Sequence, residues 1–183
     1  MIRFIKKLFT MAMTIAILCS FGCFVVLPRV LPLKYQDLVA VYAAEHGLQR
    51  SLVNAVIFCE SHFEPNAVSY ADAKGLMQVT EETGWWAAQQ MGLSMDTLDL
   101  ADPETNIHIG CWYLEWLMDE FDGVTETALA GYNAGHGNVT KWLTDEEMSI
   151  DGITLDEIPF EETKTYVKKV KLVQELYRYI YRQ

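Results

Sequence analysis

The sequence predicts a mainly α-helical protein. Three observations carry that expectation. Apolar side chains recur at spacings of three and four through residues 37–61 and 161–182. Asp102-Pro103 pairs an N-cap residue with proline at the first helical position. Alternation of apolar and polar residues, the mark of a half-buried strand, is confined to one short extended piece at 149–155. A hydrophobic share of 51% with 21% charged residues excludes wholesale disorder, a collagen-like chain and a multi-span membrane protein.

Arg3, Lys6 and Lys7 precede residues 8–27, a run of 20 residues without a charge. As a helix this run extends about 30 Å, the thickness of a bilayer's hydrocarbon core. The reading favoured is an uncleaved anchor with its positive flank inside, which leaves everything after it outside the membrane. The alternative is a removed signal peptide, with Ser20 and Gly22 as a small-x-small pair or Gly22-Cys23 as a lipoprotein-like site. Pro28 and Pro32 bracket a short linker. The expected division is therefore a signal or anchor segment at 1–33 and one domain at 34–183.

Within that domain, Asp37 is expected to cap a helix reaching residue 45, and a second helix covers 51–61, closed off by Pro65. Residues 74–83 read as a short helix and 85–91 as another. The helix opened by Asp102-Pro103 runs to about 121 and is apolar nearly all round, which marks the buried spine of the fold. A shorter helix covers 125–133, stopped by Gly135 and Gly137. Residues 161–182 form a long amphipathic helix with Tyr166, Val170, Val173, Tyr177 and Ile180 inward. Its acids precede its bases, which suits the helix dipole.

The net charge of −11 is unevenly spread. Residues 34–163 carry 4 basic and 24 acidic side chains, a balance that repels phosphate backbones and excludes nucleic acid as a partner. Cys59 and Cys111 lie in the exported part, where they form a disulfide or pack as two reduced thiols. The histidines (His46, His62, His108, His136) show no ligand spacing along the chain, so neither a metal nor a cofactor is expected.

Glu60 closes the second helix beside Phe58, Cys59 and Phe63. A carboxyl among apolar neighbours has a raised pKa, as a general acid near neutral pH requires. After it come "ESHFEPNAVSYADAKGLMQVTEET", "DPETNIHIGCWYL", "ALAGYNAGHGNVTKW" and "IPFEETKTYVKKV". Four blocks in this order resemble the lytic transglycosylases of the SLT type, which carry a lysozyme-like fold. The resemblance covers residues 35–173.

It implies that Glu60 is the sole catalytic acid/base and that Ser69 orients it. It also implies that Gly75, Met77 and Gln78 of the "GLMQ" block and Tyr132 and Asn133 of the "YNAG" block meet the glycan, with Glu162 lining the groove. The implied substrate is peptidoglycan, cut after N-acetylmuramic acid with formation of a 1,6-anhydro ring. A hydrolase of the goose-type lysozyme kind and a non-catalytic peptidoglycan-binding protein are the two alternatives. A monomer at the outer face of the membrane is expected. Thr80-Glu81 stands where many members carry Met-Pro, and Gly131 where alanine is usual.

Overall fold

The computed structural model of the chain describes residues 2–22, 26–94 and 98–182. Two compact units are present, Met1–Lys34 and Tyr35–Gln183. The first holds α1 (Ile2–Phe21) and a single turn, α2 (Leu27–Val30). Phe9, Met11, Met13, Ile17 and Leu18 of α1 are exposed on several sides of the helix. Among the described residues no helix is long and apolar enough to cross a membrane. The run expected to span falls partly on residues 23–25, outside the described residues.

The second unit is built from α3 (Gln36–Glu45), α4 (Arg50–Ser61), α5 (Glu81–Met91), α6 (Pro103–Glu120), α7 (Thr125–Ala134), α8 (His136–Leu143) and α9 (Glu161–Tyr181). Helix α6 begins where its sequence signals place it: the Asp102 carboxylate accepts a hydrogen bond from the Thr105 amide at 2.9 Å, and Pro103 fills the first turn. Ile107, Ile109, Cys111, Leu114 and Leu117 of α6 are fully buried. At about 1.5–3 kcal/mol for each large aliphatic side chain taken out of water, this helix alone supplies much of the stabilising burial. Helices α3, α5 and α7 pack around it, while α4 lies along α9. There Val53, Val56 and Ile57 of α4 and Val170, Val173 and Tyr177 of α9 are buried.

Four expectations are corrected. Asp37 is not the cap of α3 but lies in its first turn; Tyr35, at φ 56°, holds the N-cap position and makes no side-chain cap bond. Residues 74–80 are not helical. They form a tight loop with isolated bridges Val68–Lys74 and Lys74–Val79, because Gly75 and Gln78 take positive φ. Helix α5 then starts at Glu81, with the Thr80 side chain accepting from Thr83 N. Helix α8, absent from the sequence reading, follows directly on Gly135. Finally, 149–155 is no strand. The Asp151 carboxylate accepts from Ile153 N, Thr154 N and Thr154 Oγ1, so amides that would face a neighbouring strand are already spent.

Candidate active site

The end of α4 sets the site. Val56 and Ile57 bury the helix, which carries Glu60 half-buried in its last turn, and the chain then leaves through His62 and Phe63, both at positive φ. The next residue, Ser61, is buried and donates to the Leu76 carbonyl at 2.7 Å, pinning the loop of 74–80 to the helix end. Asn106 of α6 pins the same loop from the other side. Its Oδ1 accepts from Met77 N at 2.7 Å, and its Nδ2 donates to the carbonyls of Lys74 and Leu100, each at 2.8 Å.

Gly75 is obligatory there. It sits at φ +76°, and a Cβ would lie 2.6 Å from the Leu100 carbonyl oxygen. The Met77 side chain is wholly buried, and its sulfur would lie 2.5 Å from a Cβ placed on Gly110. What Met77 offers the site is its carbonyl, which accepts the Tyr132 hydroxyl at 2.8 Å. Gln78 spends its amide nitrogen on the Ala67 and Gly75 carbonyls, at 3.0 and 2.9 Å. Its Oε1 is not engaged by either bond.

Three groups converge on Glu60. Burial pushes its carboxyl from the ordinary 4.5 up to about 7; Tyr166 and the positive charge of Lys169 pull the other way. The Tyr166 hydroxyl is buried and by strict donor–acceptor geometry unpartnered, yet it lies near enough to favour the charged carboxylate. Burial and the nearby Glu60 charge raise the pKa of both Tyr132 and Tyr166 well above the ordinary tyrosine range. Neither Tyr166 nor Lys169 is a carboxylate, so the described groups acting on Glu60 include no second acid.

Tyr132 and Asn133 close α7 and line a cleft of about 220 Å³ with Gln78, Thr80, Thr83 and Tyr113. Asn133 Oδ1 accepts from the buried Thr163 hydroxyl at 2.7 Å, which leaves the amide N–H groups for a ligand. Thr163 and Tyr166 stand three apart on α9, so one helix face orients Asn133 and approaches Glu60 together. Aromatic rings continue from the cleft: Tyr132 to Tyr113 (5.4 Å between centroids), Tyr113 stacked on Trp116 (6.0 Å), and Trp116 edge-on to Trp86 (4.8 Å). A larger cleft of about 410 Å³, bounded by Val68, Lys74, Gly75, Trp85 and Leu100, contains none of the groups that act on Glu60.

The structure thus brings Glu60, Tyr132, Asn133 and Gln78 into one region, with Gly75 and Met77 as its floor. Ser69 is exposed, and its hydroxyl accepts from the Ala73 amide at 3.1 Å; no hydrogen bond joins it to Glu60. Glu162 is exposed in the first turn of α9. Sequence reasoning missed Ser61, Asn106, Tyr113 and Thr163, and assigned Tyr166 to the core alone. The spacing of Thr163 and Tyr166 on one helical stripe was the available signal. Cys59 and Cys111 are both free thiols.

The fold is thus a helical domain that sets a half-buried glutamate near a tyrosine–asparagine pair and an aromatic-walled cleft. Residues 37–151 match the transglycosylase SLT domain, and the chain belongs to that family. It is 35% identical over 151 residues to the soluble lytic murein transglycosylase of Escherichia coli K12, a match covering 81% of this chain and 23% of that one. The membrane-bound lytic murein transglycosylase C of Sodalis glossinidius is 31% identical over 173 residues, covering 79% of this chain and 47% of that one. Among solved structures, the 70-kDa soluble lytic transglycosylase of E. coli superposes with a TM-score of 0.72 at 33% identity, covering 84% of this chain and 25% of that one. The chain spans about a quarter of the length of the E. coli relative and about half of the Sodalis one.

Proposed function

We propose that this protein cleaves the β-1,4 bond between N-acetylmuramic acid and N-acetylglucosamine in peptidoglycan without water, with residues 34–183 as the catalytic domain. The observation that carries the reading is Glu60: a carboxyl held near pKa 7 by burial, beside two tyrosines, with no second acid among the described groups that act on it. A retaining glycosidase that uses a protein nucleophile needs two carboxyl groups about 5–5.5 Å apart. A lone acid/base suits the substrate-assisted route.

Protonated Glu60 donates to the oxygen leaving C1 of N-acetylmuramic acid. The sugar's own acetamide oxygen attacks C1 and forms an oxazolinium ion. Ionised Glu60 then takes the proton of the C6 hydroxyl, and O6 displaces the acetamide at C1. The C1–O4 bond is broken, a C1–O6 bond is formed, and Glu60 ends as it began. A pKa near 7 suits both proton transfers at neutral pH. Asn133, its Oδ1 occupied by Thr163, would hold the acetamide through its N–H groups, and Gln78 would accept from a sugar hydroxyl. Ser69 and Glu162 would act from the rim of the groove, where both are exposed.

The domain would act as a monomer outside the cytoplasmic membrane, carried there by the N-terminal segment as an anchor. Exposed apolar side chains on α1 and the cationic residues before them support that placement.

Mass analysis of muropeptides released from purified peptidoglycan tests the chemistry. The expected product ends in 1,6-anhydro-N-acetylmuramic acid, lighter by one water than a lysozyme product. Reducing ends would make the protein a muramidase using the same Glu60. No release above an enzyme-free blank would leave a glycan-binding protein.

A further inference from the structure

A second cluster of chemistry-bearing side chains lies where α3 ends against α6. Glu45 is the last residue of α3, His46 is its C-cap, and His108 stands on α6. One ligand atom from each of the three lies within 4.8 Å of the others. His108 Nε2 is 3.6 Å from Glu45 Oε1, and the two imidazole rings are 5.7 Å apart between centroids.

His46 gives the cluster direction. It is 7% exposed, and its Nδ1 lies 2.7 Å from Glu115 Oε2. A carboxylate only accepts, so Nδ1 carries the proton, and in the neutral ring Nε2 is a bare lone pair. That Nε2 is buried with no hydrogen-bond partner among the described residues. An unpaired buried polar atom is destabilising, and an ion bound at it is one of the explanations such an atom calls for. A carboxylate on one imidazole nitrogen with the other nitrogen free is the arrangement of a metal-binding histidine and its outer partner. His108 is oriented independently, stacked on the Tyr42 ring at 4.3 Å, while the Tyr42 hydroxyl donates to Glu104 at 3.0 Å.

We propose that Glu45, His46 and His108 form a binding site for a divalent transition cation of the zinc type, with Glu115 as the outer partner of His46. Two imidazole nitrogens and one carboxylate suit zinc, whereas calcium and magnesium require oxygen ligands throughout. Ligand atoms around tetrahedral zinc stand closer than 4.8 Å. Glu45, whose side chain is exposed, is the member that closes in. The site shares no residue with the Glu60 region, and its effect is to tie the end of α3 to the middle of α6.

Calorimetric titration of zinc chloride into the full chain, tag-free and in mild detergent, tests this. One equivalent of zinc is expected to bind and to raise the melting temperature, with calcium and magnesium doing neither. His108→Gln and Glu45→Gln, at half-buried and exposed positions that tolerate change, should each weaken binding at least tenfold. Glu115→Gln, acting through His46, should weaken it by about 10–100-fold. Glu60→Gln should bind zinc as the wild type does, which separates this site from the proposed chemistry. Absence of saturable one-to-one binding, or binding unchanged in both His108→Gln and Glu45→Gln, overturns the proposal.

Discussion

The loop of 74–80 and the surroundings of Glu60 touch each other through Ser61, Met77 and Tyr132, yet they are built on opposite terms. In the loop, polar groups are paired several times over: Asn106 makes three hydrogen bonds, Gln78 two, and Ser61 also bonds both the loop and its own helix. Around Glu60 the carboxyl is half-buried and the Tyr166 hydroxyl lacks a well-formed bond. Saturated hydrogen bonding makes a rigid floor. An under-satisfied acid stores the protonation equilibrium that chemistry needs. Rigidity and reactivity are thus assigned to adjoining elements, and substitutions on the two sides should fail differently.

The largest effect is expected at Glu60. Glu60→Gln keeps size and one acceptor but can neither donate nor recover a proton, so bond cleavage should fall by at least about 10²–10⁴-fold, measured as muropeptide release. The fold should survive and, at high pH, improve. Glu60 has a folded pKa of about 7 against an ordinary 4.5, so burial penalises its charged form. Below the lower value both states are protonated and nothing is lost. As pH rises from there through the upper value, wild-type stability drops by at most about 3 kcal/mol, less to the extent that solvent reaches the half-buried carboxyl. The melting temperature of Glu60→Gln should therefore exceed wild type at pH 8 and match it near pH 4. Equal curves at both pH values would show that Glu60 is not desolvated.

On the floor side, Asn106→Ala should do the reverse, damaging stability first. It leaves the Met77 amide and the Leu100 carbonyl without a partner, while the Lys74 carbonyl keeps the Val79 amide. A loss on the order of 3 kcal/mol or more is expected in denaturant unfolding, since each orphaned buried group costs about 1–3 kcal/mol. Activity per folded molecule should fall less than in Glu60→Gln. If stability were unchanged, the loop would not depend on α6.

Much of this was legible before any coordinates. Asp102-Pro103 fixed the start of α6 because both signals are local. Glu60, Tyr132 and Asn133 stood in ordered blocks, and their meeting required only that the helices pack. The loop of 74–80 was misread because its apolar spacing imitates a helix, while its shape is set by Asn106, some 30 residues away, and by positive φ at Gln78, a residue with no local reason to adopt it. Thr163 and Tyr166 looked like ordinary members of a buried stripe. What distinguishes them is the identity of the partner, Asn133 or Glu60, and no periodicity encodes that. The pairing of His46 with Glu115 escaped for the same reason, since its two members lie 69 residues apart.

A third test probes the reactive side without removing the acid. Tyr166 favours the charged form of Glu60. Tyr166→Phe removes only the hydroxyl, so the pKa of Glu60 should rise and the falling, high-pH limb of the rate profile should move to higher pH. Tyr166 has no other well-formed bond to lose, so the melting temperature should change little. A pH profile that stays in place while the rate drops would assign Tyr166 to substrate positioning instead.

The smallest effect is expected at Lys169, one turn beyond Tyr166 on α9. Its ammonium is exposed and acts on Glu60 by charge alone, the weaker of the two influences that hold the pKa down. Solvent and salt screen such an interaction within about 10 Å at 0.1 M ionic strength. Lys169→Gln should therefore move the high-pH limb in the same direction as Tyr166→Phe but by less, and added salt should shrink the difference from wild type. The comparison separates two physical causes. A hydroxyl contact in a buried site is insensitive to salt, while a surface charge is not. If salt abolished the Tyr166→Phe shift as readily as that of Lys169→Gln, the region around Glu60 would be open to solvent, and burial would no longer explain an acid poised near pH 7.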